Sequence, residues 1–154
     1  MSSGAIAALL VRYGLVTLFL PFSALDKLLN FSGAVKQCGE VFRPKSVATF
    51  VLICGLGIEV FMSLGVVTGL ADRVCALVLA GYCAATAVLY KRFWAQGDFW
   101  ADSGGKGRTL FWDFLKNLSL GAGFLLLVVG TDGSGLTRFL AHPLISSHPY
   151  GAYP

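Results

Sequence analysis

Four long apolar runs, separated by shorter polar stretches, set the pattern of the chain. They cover about residues 4–25, 47–70, 74–94 and 110–130. Each approaches or exceeds the roughly 20 residues that a helix needs to cross about 30 Å of hydrocarbon. The pattern predicts an all-α integral membrane four-helix bundle within residues 1–130, followed by a short tail at 131–154. The first run lacks a basic leader, is too long for a signal-peptide core and is interrupted by Arg12, so it reads as a retained helix.

The connections differ in character. Thr68 to Arg73 is a tight turn, which makes the second and third spans antiparallel neighbours. The first connection, Asp26 to Ser46, places Phe31, Val35, Cys38 and Phe42 at near-helical spacing. It predicts a short interfacial helix that ends at Arg43-Pro44, because proline disfavours helix at the residue before it. The third connection, "AQGDFWADSGGKGRT", is long, glycine-rich and polar apart from Phe99 and Trp100. The tail "HPLISSHPYGAYP" is too short and proline-broken for a fifth span. Its Leu136 to Ile145 stretch suits the membrane surface, and its end reads as disordered or docked on another subunit.

Composition strengthens the membrane reading. Apolar residues make up 56% of the 154 and charged ones 13%, against about 25% charged in a soluble domain. The net charge of +4 does not point to nucleic acid, because the basic residues sit between apolar runs. Eight of the twelve lysines and arginines fall in the first and third connections. Arg73 and Arg138 are the two on the other side. The positive-inside rule then places those connections in the cytoplasm, with both termini outside. Trp94, Trp100 and Trp112 cluster with phenylalanines around the third connection and read as interface anchors rather than a ligand cage.

Charges inside the spans carry the candidate chemistry. Glu59 lies near the midpoint of the second span, where an ionised carboxylate must be paired, wet or protonated. Depth counting at 1.5 Å per residue brings Arg12 within about one turn of it, and the guanidinium fork suits a carboxylate. An Arg12–Glu59 pair is therefore expected, either fixing helix register or lining a polar cavity for a quinone headgroup, a proton or a small substrate. The small residues Gly55, Gly57, Ser63 and Gly65 let another helix approach this stretch closely. A second polar cluster, Asp26 and Lys27 with Asp113, Lys116 and Asn117, gathers at the cytoplasmic end and reads as interfacial pairing.

Several activities lack their residues. The histidines, His142 and His148, lie in the tail, so they cannot clamp a haem inside the bundle. The four cysteines form no CxxC pair, and no span holds a clustered metal-ligand set. No P-loop, GxGxxG in a strand–helix setting or GxSxG occurs. Neither a metal nor a covalently bound cofactor is expected.

Three stretches resemble the DoxX/DoxD-like family of small four-helix bacterial membrane proteins. "RYGLVTLFLPFSALDKLLNFSGAV" (Arg12 to Val35) is similar to its opening helix. "GLGIEVFMSLGVVTGLADRVCALVLAG" (Gly55 to Gly81) is similar to its second and third helices. "FWDFLKNLSLGAGFLLLVVG" (Phe111 to Gly130) resembles its closing helix. Arg12, Asp26, Lys27, Glu59, Arg73, Lys116 and Asn117 match the family's polar positions, while the long third connection and aromatic tail depart from its pattern. The resemblance implies a membrane subunit of a quinone-linked redox complex that contacts lipid, anchors a partner dehydrogenase or oxidase, and helps shape a quinone site. The alternatives are a purely structural subunit beside a larger respiratory or photosynthetic complex, and a small proton-coupled exporter. An independent catalytic motif is absent, and family membership fixes fold better than function.

Overall fold

The computed structural model describes residues 2–99, 104–130 and 134–151. Four of its helices are long and apolar enough to span a membrane: α1 (Ser3–Leu29), α3 (Lys45–Thr68), α4 (Asp72–Tyr90, carried on by a 3-10 turn at Phe93–Ala95) and α5 (Lys106–Val129). Two short helices flank them: α2 (Phe31–Gly39), in the first connection, and α6 (Gly135–Ala141), in the tail. The chain is an all-α, multi-pass membrane four-helix bundle.

Burial is inverted relative to a water-soluble bundle. Large apolar side chains such as Leu10, Phe22, Phe50, Phe61 and Leu70 stand outward, each more than 60% exposed. Lipid is as apolar as these side chains, so the outer face needs no cover, and association between spans rests on packing and polar contacts instead. The packed interior is small-residue rich. Ala76 and Ala87 are fully buried on α4, together with Cys83 and Leu79. A Cβ on Gly121 of α5 would lie 3.4 Å from the Ala80 carbonyl, so the backbones of α4 and α5 run close together. Phe19, Phe124, Val16, Val66 and Val128 complete the core.

Two spans depart from regular α-helix. In α1 the backbone leaves helical geometry at Leu20 (φ −124°, ψ 112°), and the segment Leu18–Ser23 is wound as a wider π-turn. Pro21 explains the site: it lacks an N–H and disfavours helix at the residue before it. In α3 a π-turn spans Ile58–Met62 and carries Glu59. The two irregular segments pack against each other.

The turn between α3 and α4 is as tight as the sequence predicts. Gly69 takes a left-handed φ of 78°, and Ala71 one of 51°. The glycine also gives Pro149 room, since a Cβ there would lie 2.9 Å from the proline Cγ. The interfacial helix exists but ends at Gly39, before the expected Arg43-Pro44. α1 continues past the expected end at Leu25 to Leu29, with Lys27 in its last turn. α5 starts at Lys106, four residues before the expected start of the apolar run, so that Asp113 lies about two turns inside it.

The described part of the tail packs on its own chain through Ser147 and Tyr150. The Ser147 N–H donates to Asp72 Oδ1 at 2.8 Å, and the Tyr150 hydroxyl donates to the Val67 carbonyl. Leu136, Leu140 and Leu144 of the tail stand exposed at 54%, 70% and 71%, as a membrane-surface stretch requires.

Close approach at Gly65 gives a test. Its Cβ would fall deep inside the radius of Cys75 Sγ and 3.2 Å from the Leu70 carbonyl. Gly65→Ala is expected to cost about 1–3 kcal/mol by overpacking. Thermal unfolding of the detergent-solubilised chain, followed by its aggregation temperature, should show a clear drop. An unchanged temperature would contradict the packing.

Candidate functional site

The structure separates Arg12 from Glu59 and gives each a different partner. Arg12 Nη2 meets Asp72 Oδ2 at 2.7 Å, and its Nη1 donates to the Val66 carbonyl at 2.9 Å. Nη2 also donates to Ser147 Oγ at 2.9 Å, while Ser147 Oγ donates to Asp72 Oδ2. Both charged residues are buried, at 5% and 0% exposed. The expected Arg12–Glu59 pair is therefore replaced by Arg12–Asp72. Arg12 lies level with Val66, seven residues and about two turns beyond Glu59 along α3. The ends of α1 and α3 are not level, since Arg12 is nine residues into α1 while Val66 is two residues from the end of α3, and Asp72 at the start of α4 supplies the nearby carboxylate.

Glu59 is answered from the other end of α1. Lys27 Nζ forms an ion pair with Glu59 Oε1. The same oxygen accepts from Tyr82 Oη at 2.9 Å and Ser23 Oγ at 3.2 Å. Lys27 also donates to Ser23 Oγ at 3.0 Å and to Tyr82 Oη at 3.5 Å. The local sequence accounts for this. Ser23 and Lys27 are four apart, so they share a helix face, and the break at Leu20 separates this face from the regular turn that holds Arg12. Gly55 lets the Tyr82 hydroxyl in, since a Cβ there would lie 3.2 Å from it. The close approach expected of the small residues thus occurs at Gly55 and Gly65.

Three donors converge on Oε1, whereas Oε2 is buried with no partner among the described residues. Ser63 Oγ, one turn further along α3, is in the same position. Glu59 lines a cavity of about 820 Å³ and Ser63 does not. That cavity lies between α1, α2, α3, α4 and α5, and most of its wall is apolar: Leu18, Phe19, Phe50, Ile58 and Leu89. Lys27, Asp26, Asp113, Lys116 and Asn117, expected as a single polar cluster, all line it. Within that set Asp113 and Lys116 form the interfacial pair expected of residues one turn apart, and two further partners enter from outside it, Lys91 and Glu59. Lys27 turns inward to Glu59, and Asp113 is held by Lys91 at 3.2 Å and by Lys116 at 3.4 Å. Cys38, also on the wall, accepts from the Tyr90 hydroxyl at 3.4 Å, and all four cysteines are free thiols.

The aromatic residues around the third connection pack on one another. Phe93 packs edge-on against Trp94 at 5.1 Å, Phe111 at 5.0 Å and Phe114 at 5.5 Å. Trp94 and Trp112 are about half exposed, at 54% and 53%. Trp100 lies outside the described residues. Asp98 folds the third connection onto α5 by accepting the Gly107 N–H at 2.9 Å.

Sequence reasoning missed Asp72, Tyr82, Ser23 and Ser147. A signal existed for Asp72, an acid at the first residue of a span on the same side as Arg12. The i, i+4 pair Ser23 and Lys27 was a second signal. Ser147 gave none, since its partners lie 135 and 75 residues away.

A multi-pass bundle enclosing a polar cluster and a cavity between its spans is the class that fold and geometry define. Within that class, the model of the DoxX family matches residues 7–92, and the chain belongs to that family. The matched stretch holds Arg12, Lys27, Glu59, Asp72 and Tyr82, whereas α5 lies beyond it. Comparison with curated proteins gave no match, and comparison with solved structures gave none.

The rearranged pairing has a direct genetic test. Arg12→Glu leaves buried Asp72 without a cation and should lose about 3–5 kcal/mol, as broken buried pairs do. Adding Asp72→Arg should restore at least part of the folded yield, measured by size exclusion in detergent, whereas adding Glu59→Arg should not. Rescue by Glu59→Arg alone would restore the discarded pairing.

Proposed function

We propose that this chain is the membrane subunit of a quinone-linked redox complex and that its cavity holds a quinone-type ring. One observation carries the reading: a cavity of about 820 Å³ inside the bundle, apolar-walled and closed on a Lys27–Glu59–Tyr82 cluster. Ligand sites fall in the range of about 300–1,000 Å³ and combine apolar walls with a few fixed polar groups. Ionisable residues within spans are costly to keep and mark functional sites by default.

A ring entering from the lipid phase meets Phe19, Phe50, Ile58 and Leu89 before it meets charge. Lys27, Tyr82 and Ser23 fix the orientation of Glu59, so that the ligand encounters a rigid polar end. The chain carries no redox centre in this reading, and a dehydrogenase or oxidase partner supplies the electrons. That partner docks on the side bearing the first and third connections, where Lys91, Asp113 and Lys116 are accessible. The same side is cytoplasmic by the distribution of basic residues, in a bacterial inner membrane.

A photoreactive azidoquinone applied to membranes containing the full chain tests this. The label is expected on peptides bearing Ile58, Tyr82 or Leu89, which line the cavity and are not exposed to lipid, with excess unmodified quinone abolishing it. Label confined to outward residues such as Leu10 or Phe61, insensitive to competition, would overturn the reading in favour of a subunit that only packs beside its partners.

A further inference from the structure

The cations on the side of the first and third connections divide into two groups. Lys27, Lys91 and Lys116 are paired with Glu59 and Asp113. Arg92, Lys106 and Arg108 take part in none of the ion pairs among the described residues, and all three stand exposed. Arg92 is distant from the other two in sequence, yet the fold gathers them. Its neighbour Phe93 packs on Phe111 at 5.0 Å and on Phe99 at 5.6 Å, and Phe99 packs on Phe111 at 5.1 Å. Phe111 lies one turn along α5 from Arg108. The aromatic trio thus draws Arg92 to the end of α5 that carries Lys106 and Arg108.

The acid of this connection is otherwise engaged. Asp98 Oδ1 accepts the Gly107 N–H at 2.9 Å, and a Cβ on Gly105 would lie 2.9 Å from its Oδ2. Its charge therefore meets the first turn of α5, where it complements the helix dipole. Asp102 lies outside the described residues. Beside the cations stand two apolar anchors, Trp94 at 54% exposed and Trp112 at 53%. Each is backed by a ring, Trp94 by Phe93 at 5.1 Å and Trp112 by Phe111 at 5.8 Å. Both lie within about two turns of the end of their spans, at the level of lipid headgroups, where tryptophan settles.

Unpaired cations and half-exposed indoles at that level match a ligand that is anionic at one end and apolar at the other. A soluble acidic protein would answer the charge alone. We propose that the folded third connection binds an anionic phospholipid, with Arg92, Lys106 and Arg108 on the headgroup phosphate and Trp94 and Trp112 against its glycerol and acyl chains. Basic residues clustered next to a span recognise anionic lipids in this way, and the guanidinium fork presents paired donors to phosphate. None of these five residues lines the large cavity, so the assignment does not depend on what the cavity holds.

Tryptophan fluorescence tests this directly, because Trp94, Trp100 and Trp112 are the chain's tryptophans and all belong to this region of the sequence. The full chain is reconstituted into phosphatidylcholine vesicles containing a rising fraction of either brominated phosphatidylglycerol or brominated phosphatidylcholine, and quenching is measured. Brominated phosphatidylglycerol is expected to compete for the tryptophan surroundings at least about tenfold better, since each basic side chain at an anionic surface is worth roughly fivefold. Arg92→Gln, Lys106→Gln and Arg108→Gln together should abolish that preference. Lys36→Gln, Arg43→Gln and Lys45→Gln, at exposed cations of the first connection, should leave most of it. If a triple variant fails to fold, Arg108→Gln and Arg43→Gln take their places, with a loss expected from the first alone. Equal quenching by the two lipids would overturn the proposal and leave the patch to an acidic soluble partner. Equal loss in both sets of variants would overturn it as well, reducing the preference to the charge of the whole face. Reversal by inorganic phosphate at constant ionic strength would reassign the cations to free phosphate.

Discussion

A carboxylate in the middle of a lipid-spanning helix must be answered from a neighbouring helix, and the packing of α1 on α3 follows from that requirement. Glu59 is 1% exposed, and its charge is met by Lys27 from α1 with a phenol from α4 and a hydroxyl from α1 in support. In a bilayer, without a hydrophobic drive holding helices together, polar contacts and close backbone approach set which faces meet. The irregular segments of both spans are consistent with this demand. The π-turn at Ile58–Met62 carries Glu59, and the break at Leu20 lies just before Ser23 and Lys27. Such turns recur at functional sites.

The second buried pair serves a different end. Arg12 and Asp72 lie near the α3–α4 turn, are bonded to each other and to Ser147, and line no part of the large cavity. The interactions found there tie one segment of the chain to another: α1 to the Val66 carbonyl, α4 to the tail, and Tyr150 to the Val67 carbonyl. The two candidate roles weighed for a single Arg12–Glu59 pair are thus divided between two sites. The Arg12 site holds the bundle closed at one end, and the Glu59 site faces open volume toward the other.

Much of the fold was legible in the sequence because each span announces itself by length and apolarity. The α3–α4 turn was legible too, from Gly69 and the polar residues around it. The pairing of charges was not legible, and the reason is geometric. A shift of about two turns in the contact between α1 and α3 moves Arg12 from Glu59 to Val66, because the two spans are staggered: Arg12, nine residues into α1, meets Val66, two residues from the end of α3. Tyr82 was hidden for another reason: among alanines and leucines it reads as a wall residue, and its hydroxyl matters only because Gly55 faces it. The tail contacts join residues far apart in the chain, which local patterns do not encode. The polar set Asp26, Lys27, Asp113, Lys116 and Asn117 was legible as a neighbourhood, and its Asp113–Lys116 pair as an i, i+3 spacing, while the partners from outside the set, Lys91 and Glu59, emerged from structure.

The account stands on the identity of the cation beside Glu59. Solid-state NMR of the full chain in lipid, with lysine labelled at Nζ, arginine at the guanidinium nitrogens and glutamate at Cδ, measures this directly. Strong dipolar coupling between Lys27 Nζ and Glu59 Cδ, lost in Lys27→Met, is the result predicted. Coupling of Glu59 Cδ to the Arg12 guanidinium instead would contradict the pairing and the site built upon it.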